Sequence, residues 1–303
     1  GKDLTAVLTE TKSMTADGLA ANMEKVESCL KDFDTFVPVR FYTNPKEYAP
    51  FWAIRAGIFP QVGGARKPGT TCLIEDVAFH IDDLPEAAVD LQALLAEHHY
   101  DDACIYGHAL EGNFHFIINQ SFNTEEEVSR YEHLMKAVVS LVIGKYDGSL
   151  KAEHGTGRNM APFVRTEWGE KAFDIMKRIK QLFDPEQLLN PGVIFNDDAQ
   201  CFIKNFKKLT LTNGQVDKCI ECGFCEVNCL SCGFTMSSRQ RIVIRREMAR
   251  LQSTGENPER RREMEKNYKY LGNETCAGDG LCSMSCPMGI NVGDLTHDLR
   301  EAG

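Results

Sequence analysis

Cys219, Cys222, Cys225, Cys229 and Cys232 place five thiols within fourteen positions, and Cys276, Cys282 and Cys286-Pro287 answer them further along the chain. A [4Fe-4S] cube needs thiolates arriving at different corners from a loop wrapped closely around it, and Cys-x2-Cys-x2-Cys brings a sulfur at every third residue for that purpose. In two-cluster proteins the fourth cysteine of such a run serves the other cluster. Cys219, Cys222 and Cys225 with Cys286 are therefore expected to hold one cluster, and Cys229, Cys276 and Cys282 most of a second. The spacing of the second motif asks for a cysteine at 279, where Asp279 stands. Three outcomes are open: Asp279 supplies an oxygen ligand, Cys232 supplies the fourth thiolate, or the site holds a three-iron [3Fe-4S] cluster with an open corner. Zinc is the competing reading of paired Cys-x2-Cys motifs. Two interlocked triplets with Cys286-Pro287 fit iron and sulfide better. Such crowding argues against disulfides and for a reducing, cytoplasmic compartment.

A second set of side chains lies upstream. Leu110-Glu111-Gly112-Asn113 reads as a tight turn closing a hairpin in which residue numbers summing to 223 oppose each other, and His108 and His115 meet that condition. Opposed residues share one face of the sheet with Cβ atoms ~4.5 to 5.5 Å apart, so the pair can chelate a divalent metal or clamp an anion. Glu153-His154-Gly155-Thr156-Gly157-Arg158 adds a hard oxygen ligand, a group that titrates near neutrality and glycines that let a ligand approach the backbone. His108, His115 and Glu153 together make a two-histidine, one-carboxylate set suited to zinc or a similar metal.

These side chains need elements to carry them. Hydrophobic periodicity and caps predict helices over 19–33 and from Asn44-Pro45 through Trp52 and Arg55, with a strand near 36–42 between them and a glycine- and proline-rich loop over 62–71. Then follow a strand at 77–81, a helix from Pro85, strands at 103–109 and 113–118, a helix opened by the capping box Thr124/Glu127 and a last strand near Leu150. That order is β-α-β-β-α-β, the ferredoxin-like sandwich, and a helix over 167–183 closes it. The fold class is α+β, with a ferredoxin-like domain over 1–205 and a mostly α-helical domain over 206–303.

Between the cysteine motifs, Ser237 or Ser238 caps a helix that Gly255 ends, and Asn257-Pro258 starts another that stops at Gly272. Arg239, Arg241, Arg245, Arg246, Arg250 and Arg260 to Arg262 lie along them, interleaved with glutamates, and read first as a solvated helix face and second as a docking patch for another domain, a redox partner or an anionic membrane surface. A net charge of −10 over 303 residues argues against nucleic acid as a partner. No apolar run approaches the ~20 residues of a membrane span, so any membrane contact is expected to be peripheral, at the inner membrane. Cys29, Cys72, Cys104 and Cys201 share no spacing and read as buried thiols.

The residues carry two resemblances. The helix-separated cysteine motifs, over roughly 210–303, resemble the α-helical ferredoxin domain of succinate dehydrogenase and related quinone-linked enzymes. Gly107-His108-Ala109-Leu110-Glu111-Gly112-Asn113-Phe114-His115, Glu153-His154-Gly155-Thr156-Gly157 and Leu188-Leu189-Asn190-Pro191-Gly192 resemble the three signatures of the FAD-linked oxidase C-terminal, or cap, domain, over about 1–200. In that family the cap covers the flavin of a separate FAD-binding domain and provides the substrate site for D-2-hydroxy acids. The resemblance implies a divalent metal on His108, His115 and Glu153, a place near the flavin for His154, a cofactor-facing role for Asn190, and a substrate-carboxylate contact for Arg55, with Lys67 a weaker candidate. A cap followed by two clusters resembles a central piece of the bacterial iron-sulfur D-lactate and D-2-hydroxyglutarate dehydrogenases, expected neither to retain flavin firmly nor to turn over alone.

The activity so implied is oxidation of a D-2-hydroxy acid at FAD, D-lactate foremost, with D-2-hydroxyglutarate or glycolate as alternatives, and electron exit through the clusters to a quinone or protein acceptor. Two readings of other classes stand beside it. A zinc-binding interaction module predicts a colourless protein. A pure electron-transfer subunit predicts clusters without metal or hydroxy-acid binding at His108 and His115.

Overall fold

The computed structural model describes residues 5–302, and the chain divides into two compact units between Ile58 and Phe59. In the first unit, α1 (Ala16–Leu30) starts where Thr15 Oγ1 accepts from the Gly18 N–H, and α2 (Pro45–Ala56) starts where Asn44 Oδ1 accepts from the Lys46 N–H. Both are side-chain N-caps; the second stands where the sequence marks it, while α1 begins and ends three residues before the expected 19–33. Neither helix buries a residue. The strand expected near 36–42 does not form: alternation over a short stretch does not by itself make a strand without a pairing partner.

The second unit opens within α3 (Ile58–Ala65), which takes up the first four residues, 62–65, of the stretch read as a loop over 62–71. Gly63 and Gly64 lie within it and are buried, packed so closely that a Cβ on Gly64 would overlap Met288. The glycines thus serve close approach rather than a turn. Then come β1 (Thr71–Ala78), α4 (Leu84–Glu97), β2 (Cys104–His108), β3 (Asn113–Gln120), α5 (Glu125–Val139) with a π-helical turn over Ser140–Lys145, and α6 (Val164–Phe183), broken at Gly169. The sheet is antiparallel in the order β1-β3-β2. Its fourth strand, expected near Leu150, is reduced to a single antiparallel bridge between Ala78 and Ser149. A three-stranded sheet therefore replaces the four strands of the expected sandwich. Val77, Phe116, Ile118, Leu91, Leu134, Met135 and Val138 form the core between this sheet and α4 and α5, each fully buried.

A second, smaller core gathers Val216, Ile242, Ile290, Val292 and Leu295 around Cys282. Its frame is α7 (Ser238–Thr254), α8 (Pro258–Tyr268) and α9 (Val292–Glu301). Ser237 and Gln240 form a capping box on α7, Gly255 ends it in the left-handed conformation, and Asn257 caps α8, all as the sequence indicates.

The β2–β3 hairpin positions the histidines, and its turn differs from the expected one. Ala109–Glu111 form a 3-10 turn followed by Gly112 at φ 65°, so His108 opposes Asn113 and Tyr106 opposes His115. The register sum is two lower than a two-residue turn would give. A shift of two keeps every side chain on its face, so His108 and His115 remain together as diagonal neighbours, with ring centroids 5.7 Å apart. Gly112 is held against β1's end, where its carbonyl accepts from the Phe79 N–H at 2.8 Å and a Cβ would lie 2.0 Å from the Phe79 carbonyl oxygen. Gly112→Ala is expected to cost about 2 kcal/mol or more, from the left-handed backbone and the clash together. Urea denaturation measures this, and an unchanged midpoint contradicts it.

Candidate functional site: a histidine cluster and two cysteine cavities

Asp76, in the middle of β1, is fully buried, and its Oδ2 accepts from the backbone N–H groups of Ala152, Glu153 and His154 at 3.1, 2.8 and 2.8 Å. Its Oδ1 accepts from Asn113 Nδ2 at 2.7 Å and lies 3.5 Å from His115 Nδ1. Burial works to raise the Asp76 carboxyl, but the N–H groups of His154 and Glu153, with the nearby imidazole of His154 and the Asn113 amide, outweigh it and hold the carboxyl below its ordinary value. One carboxylate thus gathers the loop after the sheet and lays it across β1 and β3.

That loop delivers Glu153 Oε1 into a ring of imidazoles. It lies 2.9 Å from His115 Nε2, 3.3 Å from His154 Nε2 and 3.7 Å from His108 Nε2. The His115 and His154 rings stack at 4.8 Å. Burial lowers the pKa of His115, reinforced by the neighbouring His154 and His108 and opposed by Asp76 and Glu153. At neutral pH His115 is a neutral imidazole, the form that binds metals.

His108, His115 and Glu153 present one ligand atom each, all within 4.8 Å of one another. Donors bound to one ion at ~2.0 to 2.2 Å sit about 3 to 3.6 Å apart in tetrahedral geometry, and the 2.9 and 3.7 Å spacings bracket that range. Asp76 lies behind His115, its Oδ1 3.5 Å from Nδ1, a buried nitrogen without a hydrogen-bond partner. Asp76, His115 and His154 form a second, overlapping triad. Asp76 was missed by the sequence reading, although Glu75-Asp76 is an acidic pair inside the otherwise apolar run of β1. Its neighbour Glu75 is also buried, paired with Lys151 at 2.7 Å and Asn159 at 2.5 Å, and burial pushes its carboxyl up.

The other expected residues of this region are spread more widely. Asn190 is exposed at φ 46°, in a loop held where Arg158 donates to the Pro191 carbonyl at 3.0 Å and Ile194 donates to the Gly157 carbonyl at 3.0 Å. That packing brings the second and third signatures side by side. Arg55 lies on α2, in the first unit.

In the C-terminal part the cysteines line two separate cavities. The first is walled by Cys219, Cys222, Cys225 and Cys286 together with Ile242 and Ile290. The second is walled by Cys229, Cys276, Cys282, Asp279 and Arg241. The two groupings coincide with the interlocked pairing expected from spacing. The cavities follow from an internal repeat: Phe224–Asn228 and Leu281–Ser285 are matching 3-10 turns, entered through Gly223 and Gly280 in the left-handed conformation and joined by Asn228 Nδ2 donating to Ser285 Oγ at 2.6 Å. In this repeat Asp279 occupies the place of Cys222, and its Oδ1 accepts from the Leu281 N–H at 3.1 Å. Cys232 is exposed and does not line the second cavity.

Burial raises the thiols of Cys219, Cys225 and Cys282, Cys225 to about 11. Thiols so placed favour the neutral form until a metal takes them as thiolates. Cys229 differs. Burial works to raise it, but the Ser231 hydroxyl and N–H, the Ser238 N–H and the Arg241 charge bring it below its ordinary value.

The arginine stretch is not simply a solvated face. Arg241 and Arg246 are buried, Arg246 paired with Glu221 at 2.7 Å and donating to the Cys219 carbonyl at 3.0 Å. Buried Arg66 donates to the Lys218 and Cys219 carbonyls at 2.9 Å each. The expectation of buried thiols is corrected as well: Cys29 is exposed and Cys72, Cys104 and Cys201 are half-buried.

Residues 2–194 match the family "FAD linked oxidases, C-terminal domain", and residues 215–290 match the "4Fe-4S dicluster domain". The chain belongs to the FAD-linked oxidase C-terminal family. Among its relatives are the glycolate oxidase subunit GlcD of Bacillus subtilis, 28% identical over 180 residues, which are 59% of this chain and 37% of the relative. A probable mitochondrial D-lactate dehydrogenase of Danio rerio is 32% identical over 130 residues, 43% of this chain and 26% of the relative. A D-2-hydroxyglutarate dehydrogenase of Stutzerimonas stutzeri is 29% identical over 123 residues, 40% of this chain and 26% of the relative. The matches thus cover between about a quarter and somewhat over a third of these relatives' length. The dicluster match supports iron-sulfur clusters in the cysteine cavities, and no described helix is long and apolar enough to cross a membrane.

Asp76→Asn removes the charge that the three loop N–H groups share. Hydrogen bonds to charged groups contribute ~1.5 to 3 kcal/mol each, and the variant is expected to lose about 3 kcal/mol at pH 7 by urea denaturation. A carboxyl lowered on folding stabilises fully above its unfolded value of ~3.9, and that stabilisation disappears as pH falls through the lower folded value. Wild type and variant should therefore converge as pH falls below the unfolded value and on through the lower folded one. A constant difference across that range contradicts the assignment.

Proposed function

We propose that this chain is the substrate-cap and electron-exit part of a flavin-linked D-2-hydroxy-acid dehydrogenase, with D-lactate as the first substrate to test and D-2-hydroxyglutarate and glycolate beside it. The observation that carries this reading is the convergence of His108, His115 and His154 on one oxygen of Glu153, in a chain whose other half forms two cysteine cavities. The printed activities of the relatives support the substrate class.

His108, His115 and Glu153 would hold a divalent metal, zinc or similar. Bound metal, flavin and clusters supply, respectively, a Lewis acid for the substrate oxygens, an acceptor for the hydride leaving the α-carbon, and one-electron carriers toward a quinone or protein acceptor. His154 is proposed to take the hydroxyl proton, and Asp76 Oδ2 lies 3.7 Å from its Nδ1. Asp76 Oδ1 lies 3.5 Å from the other ring nitrogen of His115, on the side away from Glu153. Arg55 is proposed to hold the substrate carboxylate by a charge-assisted fork.

Asn190 stays a proposed cofactor-facing residue, carried by a loop next to exposed Leu188 and Leu189. Cys219, Cys222, Cys225 and Cys286 are proposed for one cluster, and Cys229, Cys276 and Cys282 for the other. Asp279 is favoured over Cys232 as that cluster's further neighbour because it lines the cavity. The proposed domains, 1–205 and 206–303, follow the same division of labour.

The test is metal and ligand binding. The full chain is expected to bind about one Zn2+ per chain by calorimetry, and D-lactate only when the metal is present. H108A/H115A should lose both by at least tenfold while still unfolding cooperatively. Unchanged zinc binding in the double variant would remove the metal reading, and metal-independent binding of the hydroxy acid would remove the metal's role in recognition.

A further inference from the structure

Arg241 is 1% exposed and projects from α7 into the wall of the second cysteine cavity, which it shares with Cys229, Cys276, Asp279 and Cys282. Its guanidinium is fixed on every side. Nε donates to the Gly272 carbonyl at 2.6 Å, Nη2 donates to Ser231 Oγ at 2.9 Å and Thr275 Oγ1 at 3.4 Å, and Nη1 donates to Cys229 Sγ at 3.7 Å. The first three acceptors are neutral. Among the described residues no carboxylate forms an ion pair with Arg241, although Arg246, buried on the same helix, has Glu221, and Arg239 beside the first cavity has Glu226 at 3.1 Å.

A guanidinium does not give up its proton in proteins, and a buried cation without a counter-charge is strongly unfavourable. The acceptor of Arg241 that can become negative is the Cys229 sulfur. The arrangement is therefore completed by an anionic group in this cavity. Three thiolates around iron and sulfide form such a group, and hydrogen bonds to the ligand sulfurs together with local charge set its potential.

We infer that Arg241 is the counter-charge of the second cluster, a positioning residue whose contact with Cys229 stabilises the reduced form of that cluster and so raises its reduction potential. This rests on the reading of the cysteine cavities as cluster sites. Each electron added to the cluster makes its ligand set more negative, and the nearby fixed cation favours that form more than the oxidised one. At the first cavity the nearest comparable contacts, from Arg66 and Arg246, go to the Cys219 carbonyl rather than to a sulfur.

The test is a redox titration followed by electron paramagnetic resonance on the anaerobically reconstituted full chain, for wild type, R241K, R241Q and R241M. In R241Q and R241M one cluster is expected to become harder to reduce by about tenfold or more in its equilibrium constant, about 59 mV for a one-electron couple. The other cluster should keep its wild-type value, and R241K should stay close to wild type at both. Selective loss of one cluster from R241Q and R241M, with both retained in R241K, supports the same assignment. Two loaded clusters at wild-type potentials in the neutral variants overturn it, as does an R241K that shifts as far as they do. If neither neutral variant folds, R241K alone decides by the same criterion. A wild-type chain that takes up no cluster defeats the underlying reading instead, and that outcome is distinct from the others.

Discussion

Asp76 Oδ2 gathers three consecutive backbone N–H groups from the 152–154 loop, and the histidine cluster depends on that contact. The strand expected before this loop is a single bridge at Ser149, and the Lys151–Glu75 and Asn159–Glu75 contacts hold its two ends. Asp76 fixes the middle, and without it the N–H groups of residues 152–154 would lose their shared acceptor. With it, Glu153 and His154 stand at fixed distances from two histidines whose own positions come from a hydrogen-bonded hairpin. The cost of burying the charge is offset by the N–H groups and by Asn113, which is why the carboxyl stays ionised in a fully buried place.

The same constraint, a buried charge that must be answered, organises the cysteine half. Arg66 and Arg246 tie the loop that carries Cys219 by taking its carbonyls, and Arg246 is itself neutralised by Glu221. Arg241 ties the Cys229 and Gly272 segments together. Cations at these positions give the carbonyls of short, irregular loops the donors that no helix or sheet supplies. The two repeated 3-10 turns then set the cysteines at matching places, with the single departure at Asp279.

Much of this was legible in the sequence, for physical reasons that differ by element. Caps at Thr124, Ser237 and Asn257 and the stop at Gly255 depend on local hydrogen bonds and backbone freedom, and each stands where it was read. The division of the cysteines between two cavities follows the grouping that their spacing suggested, because each group sits on its own repeat of the same turn. The hairpin register was misjudged by two, since a 3-10 turn and a two-residue turn share the same glycine signal, yet the face shared by His108 and His115 survived because side-chain parity has period two.

Long-range facts were out of reach. Asp76 meets residues 152–154 only in the folded chain, Arg241 and Arg246 look like surface charges until α7 is packed, and the pairing that would make or unmake strands near 36–42 and Leu150 is decided by neighbours in space. Gly63 and Gly64 read as loop formers because close packing against Met288 leaves no local signature.

The central claim is that the C-terminal cysteines form two iron-sulfur sites of unequal ligand sets. The most direct measurement is the visible spectrum of the anaerobically purified chain together with its iron, sulfide and zinc content. The account predicts a brown protein, bleached by dithionite, with seven or eight irons per chain: eight if the Asp279 site completes a cube and seven if it holds three irons. A colourless protein carrying zinc in place of iron and sulfide would contradict it.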